Sequence, residues 1–127
     1  MTDYIDYLEA VALHFALMET WGETRFGVDS RDLVESALAR PKHAAFYENA
    51  DLIRQTATLC FGFIKNHPWS GGNKRTASFL MEEFLYRNGW ELMATSQDLY
   101  QMSLKVEADE WKVAEIADWL RPRVRKI

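Results

Sequence analysis

The sequence predicts an all-α fold, and three observations carry that prediction. Apolar residues recur at helical intervals almost everywhere along the 127 residues. Capping residues, glycines and prolines fall at the breaks between those stretches. No internal repeat, low-complexity tract or linker interrupts the pattern, so the chain reads as a single domain over residues 1–127. Apolar residues make up 48% and aromatics 13%, enough for a core without disulfides or structural metal.

The elements follow in order. Asp6 and Glu9 have capping-box spacing, and Ile5, Leu8, Ala12, Phe15 and Ala16 mark the apolar face of a first helix ending near Thr20. Gly22 and Gly27 punctuate the segment after it. Asp29 or Ser30 caps a short second helix, Arg31 to Ala39, which Pro41 stops. Residues 41–48 read as a connector bearing Phe46 and Tyr47. A third helix, about Asp51 to Asn66, is apolar on most sides and therefore central; Pro68 ends it. A fourth begins near Asn73, with Ala77, Leu80, Met81, Phe84 and Leu85 on one stripe, and stops at Asn88-Gly89. Trp90 to Met93 is short and extended. Ser96 caps a fifth helix to about Val106, Asp109 caps a sixth, and Pro122 ends it, leaving a basic, solvated tail from Arg121 to Lys126.

Several functions are disfavoured at this stage. With 19 acidic and 15 basic residues the net charge is −4, which argues against a nucleic-acid binder. No signal pattern precedes Tyr4 and no apolar run reaches membrane-spanning length, so a cytoplasmic protein is expected. Cys60, alone among Leu59, Phe61 and Phe63, reads as a buried small hydrophobe. No Cys/His/Asp cluster has zinc spacing. His14, beside apolar residues, reads as a packing histidine.

Residues 66–77, Asn-His-Pro-Trp-Ser-Gly-Gly-Asn-Lys-Arg-Thr-Ala, carry the chemistry. His67 stands at the last turn of the third helix, where partial negative charge favours a protonated ring and so raises its basicity. The first N–H groups of the fourth helix have no intrahelical partner and form an anion site. Gly72 lets an anion approach those amides, and the Asn73 side chain has a donor to add. Lys74 and Arg75 oppose the helix dipole unless an anion accompanies them; Arg is suited to bidentate phosphate contact and Lys to a point charge. The combination indicates a phosphate chain beside a general base, and transfer of part of a nucleotide.

This stretch resembles the signature of the Fic/Doc superfamily: His, Pro, an aromatic, any residue, an acid, Gly, Asn, Gly or Lys, Arg. His67, Pro68, Gly72, Asn73 and Arg75 match outright, Trp69 stands for the usual Phe as a hydrophobic pin, and Lys74 selects the Doc branch. Val34 to Pro41 and Asn88-Gly89 extend the likeness. The resemblance implies a compact bundle of about six helices with the signature loop between two central ones. It implies the toxin of a toxin–antitoxin pair, one that phosphorylates elongation factor Tu with ATP and magnesium. The implied partner is a Phd-like antitoxin that folds on binding. By position, His67 would be the base on the target hydroxyl, and Gly72, Asn73, Lys74 and Arg75 the nucleotide-phosphate site.

Gly71 departs from that pattern, because the family places a magnesium-binding acid there. No metal ligand is assigned in this sequence. The departure leaves a kinase impaired by Gly71, a catalytically weak or inactive binding module, and an adenylyltransferase as readings. On the first, an acid restored at position 71 is expected to raise magnesium affinity.

Overall fold

The computed structural model describes residues 1–127. Six α-helices make up the body: α1 Tyr7–Thr20, α2 Arg31–Glu48, α3 Leu52–Asn66, α4 Asn73–Arg87, α5 Ser96–Glu107 and α6 Val113–Leu120. A two-stranded antiparallel ribbon accompanies them, β1 Trp90–Leu92 against β2 Val124–Lys126, with Glu91 opposite Arg125. The all-helical expectation is met apart from that ribbon. No helix is long and apolar enough to cross a membrane.

Helix α3 is the centre, as its all-round apolar sequence requires. Ten of its residues are buried, from Ile53 to Ile64, and α2, α4, α5 and α6 all pack against it. Arg40 of α2 lies across Gly62, where a Cβ would come within 2.6 Å of the Arg40 Cδ, and its guanidinium sits 5.6 Å from the Phe61 ring centroid. Cys60 is fully buried and its thiol pKa is pushed up to about 12, so it packs as a hydrophobe.

Helix α1 buries a different face from the expected one. Ala10, His14 and Met18 are inside, whereas Leu8 and Phe15 are exposed. Apolar residues occupy most sides of this helix, so periodicity alone does not select the buried stripe. What selects it is His14, which has polar partners in the interior.

Helix α2 continues through Pro41 to Glu48, and residues 41–48 are helix, not connector. Proline inside a helix forfeits one hydrogen bond and costs about 3 kcal/mol. Burial of Val34, Ala37, Leu38, Pro41 and Ala44 along one side offsets that cost. Asn49, left-handed at φ 52°, makes the real stop and returns its N–H to Ala44. Phe46 and Tyr47 project from the last turn into solvent.

Two caps lie elsewhere than the sequence predicts. Thr95, not Ser96, caps α5, in a capping box with Asp98. Asp109 does not cap α6: residues 108–111 return their N–H groups to Leu104, Val106 and Lys105 and so finish α5. Asp109 takes φ 63° there, and its carboxylate binds Lys65. Helix α6 starts at Val113, with the Lys112 N–H donating to Glu115.

The basic tail is anchored, not free. Arg121 donates to the Asp51 carboxylate at 2.8 Å, and 124–126 form β2 because the N–H and C=O groups of β1 need a partner. Asp51 also caps α3, accepting from the Arg54 N–H at 2.9 Å. The Arg121 hydrogen bond, with the Arg54 amide, holds the Asp51 carboxyl below its usual range. Asp51→Ala removes cap and ion pair together, and should lower stability by about 1–2 kcal/mol in urea unfolding. Asn at that position should recover most of the capping share.

Candidate functional site

The signature loop is built from the inside outward. Trp69 is 1% exposed and lies between two rings, His14 at 4.1 Å and Phe63 at 6.0 Å between centroids, both stacked. It is the pin the sequence predicts. Asn73 fastens the loop over it: its side-chain oxygen accepts from the Trp69 N–H at 2.9 Å and its amide donates to the Trp69 carbonyl at 2.8 Å. The side chain expected to face a phosphate is thus turned inward, and it also meets His67 Nδ1 at 3.3 Å. The two Trp69 bonds fix the orientation of the Asn73 amide, so His67 Nδ1 is the acceptor and the neutral ring carries its hydrogen on Nε2.

His67 is the left-handed C-cap of α3, φ 50°, with its own N–H returned to Phe63. Its ring is exposed. Gly72, at φ 67°, is the N-cap of α4 and has no side chain to cap with. A Cβ there would come within 2.5 Å of the Met18 sulfur, so glycine is demanded by conformation and by space. No protein acceptor takes the N–H groups of Asn73, Lys74 or Arg75, which leaves three donors at the positive end of a 15-residue helix.

His67, Gly72, Asn73, Lys74 and Arg75 all line one cleft of about 610 Å³. Its other walls were not legible from the motif: Trp21 at the end of α1, Glu82 further along α4, and Tyr100 on α5. Burial raises the Glu82 carboxyl above its usual range. Both signature cations are engaged by carboxylates. Lys74 Nζ lies 3.1 Å from Glu107; Arg75 lies 3.1 Å from Glu23 and 4.2 Å from the Trp21 ring centroid.

The segment between α1 and α2 is laced to the signature loop. Asp29 and Ser30 donate to the Pro68 carbonyl at 2.9 and 3.1 Å, Ser70 donates to Gly27 at 2.8 Å, and Val28 bridges Trp69. His14 ties the underside, accepting the Gly27 N–H at Nε2 (3.1 Å) and meeting Thr76 Oγ1 at Nδ1 (2.8 Å). The first of these contacts needs a bare Nε2, so the ring is neutral, with its hydrogen on Nδ1 donated to Thr76. More than a packing histidine, it is a strut.

The residues present do not form a magnesium site by themselves. No group of three or more His, Cys, Asp or Glu is placed to hold a metal ion. Position 71 could not take the missing acid unaltered, since a Cβ on Gly71 would lie 2.3 Å from the Arg25 carbonyl oxygen. Gly71→Asp would therefore push back the 22–27 segment before it met any cation, which corrects the simple expectation of restored metal binding.

Two comparisons with known proteins bear on the site. The Fic/DOC family model matches residues 4–85. The "Protein kinase doc" of Escherichia phage P1 is 30% identical over 114 residues, covering 89% of this chain and 89% of that protein.

Burial lowers the His14 pKa to about 4 from an ordinary 6.5. The unfolded chain therefore binds a proton that the folded one refuses between those values. Stability from this source is full above about pH 6.5 and drains away as pH falls toward 4, by up to about 3 kcal/mol. Urea midpoints measured from pH 7.5 to 4 should fall accordingly, with a shallower fall in His14→Gln.

Proposed function

This chain belongs to the Fic/DOC family, and we propose that it is a Doc-like toxin, a protein kinase that transfers phosphate from ATP to a hydroxyl of elongation factor Tu and so stops translation in the cytoplasm. The observation that supports this most is the cleft itself: an exposed imidazole beside an uncapped helix N-terminus, with Lys74 and Arg75 in its first turn. The likeness to a protein kinase of the same length class supports the type of group transferred.

On this reading the α4 amides, with Lys74 and Arg75, hold the phosphate chain. Asn73 acts by holding the loop, its backbone N–H remaining a donor. The target's hydroxyl oxygen bonds to the terminal phosphorus as the bond from that phosphorus to the β-phosphate oxygen breaks. ADP leaves with the electron pair, and the hydroxyl proton passes to His67. Because Nδ1 faces Asn73, the ring accepts that proton at Nδ1 once this 3.3 Å contact yields, or turns to free a nitrogen. The phosphate oxygens must also displace Glu107 and Glu23 from the two cations. An antitoxin segment that folds on binding would find an apolar rim in Trp21 and Tyr100, both half exposed.

A second reading keeps the fold and drops turnover: a binding module, favoured by the glycine at position 71 and the poor fit to magnesium. Adenylyl transfer differs from phosphoryl transfer only in which phosphorus is attacked. Mass spectrometry of elongation factor Tu after incubation with the protein and ATP separates all three, through added phosphate, added adenylate or no change. The kinase reading expects added phosphate, reduced about 10²–10⁴-fold in His67→Asn. Asn tolerates the left-handed backbone at this position, so the thermal midpoint should hardly move; a large fall would show a structural cap instead.

A further inference from the structure

Gly71 is more than a missing acid, because something occupies the space where an acid would project. The Arg25 carbonyl closes on it, and the Arg25 Cγ passes 3.8 Å from the position a Cβ would take. The 22–27 segment is held there by Gly27, which donates to His14 and accepts from Ser70. An arginine is thereby fixed by its backbone beside the anion loop, at the position that would otherwise recruit a cation.

Arg25 is also conspicuously free. Of the 15 lysines and arginines, all but Arg25 and Lys112 have a carboxylate, a carbonyl or an aromatic ring as side-chain partner. Its side chain is exposed and is not among the residues lining the cleft, while Gly71, against which its backbone lies, is one of them; engaging a ligand would break no ion pair. Lys74 and Arg75, by contrast, must first exchange their carboxylates.

We propose that Arg25 is a phosphate-binding residue of this cleft, its guanidinium supplying directly the positive charge that a carboxylate-held divalent cation would supply, so that the triphosphate binds without metal. The inference rests on the reading of the cleft as a nucleotide site. A guanidinium can fill that role because it is permanently charged, planar, and binds phosphate oxygens in pairs. The exchange is consistent in charge, since an acid plus a divalent ion and a glycine plus an arginine each leave one net positive charge beside the phosphates.

The test is calorimetric titration of ATP into the folded protein, once in EDTA and once in excess magnesium, for the wild type, Arg25→Ala and Lys112→Ala. The last removes the other unpartnered cation, outside the cleft. The proposal expects wild-type binding to survive EDTA, to weaken about tenfold or more in Arg25→Ala, and to be unchanged in Lys112→Ala. Thermal midpoints of the three proteins should agree, since the Arg25 side chain makes no hydrogen bond, ion pair or ring contact to lose. Wild-type binding that requires magnesium would overturn it and point to the Arg25 carbonyl as a metal ligand. Equal binding by wild type and Arg25→Ala would overturn it too, while leaving the nucleotide site standing. No binding of ATP under either condition would remove the nucleotide reading itself, and this inference with it.

Discussion

The structure turns on the burial of Trp69. An indole stacked on His14 and Phe63 fixes the middle of the loop, and the hydrogen bonds that lace it gather around that ring. Everything around the site is referred to that ring: Asn73 grips its backbone, Val28 pairs with it, and His14 stacks on it while holding Gly27. The ring has one unmet need. Its indole N–H is buried without an acceptor, a cost of about 1–3 kcal/mol that a phenylalanine would not incur. The His14 and Phe63 rings stacked on it make the arrangement a three-ring column.

That column joins helix α1 to the signature loop. Helix α1 contributes His14 and Met18 underneath, and its C-terminal extension contributes Trp21, Glu23 and Arg25 above. A change of charge on His14 would act on Gly27 and so on the strip of backbone that covers Gly71. The α4 terminus, meanwhile, is left open by Gly72, whose left-handed backbone and contact with Met18 exclude any side chain able to cap it. Local stability is given up at the place where a ligand's oxygens can restore it.

Much of this was legible in the sequence where local chemistry decides. The central helix showed in its all-round apolar residues, the loop in His67-Pro68 and Gly71-Gly72, and the pin in Trp69. Long-range contacts decided the rest. Pro41 signals a break, yet burial against α3 carries the helix through it. Asp109 has the form of a cap, yet the carbonyls of α5 claimed the residues around it. The apolar residues of α1 do not say which side faces inward, since the deciding partners of His14 are Thr76 and Gly27, 62 and 13 residues away. Likewise Gly71 reads as a loss from the motif alone. Only the fold shows the Arg25 backbone lying against it.

The pairing of Lys74 with Glu107 and of Arg75 with Glu23 has a consequence for selectivity. Two cations matched to carboxylates at 3.1 Å project little field beyond a Debye length of about 8 Å. Long polyanions such as RNA draw much of their binding from releasing counterions along an extended basic track, and Lys74 and Arg75, each paired to a carboxylate, do not supply one. A small, highly charged molecule that reaches the amides can still compete for both side chains at once. The cleft is in this sense blind at a distance and receptive at contact.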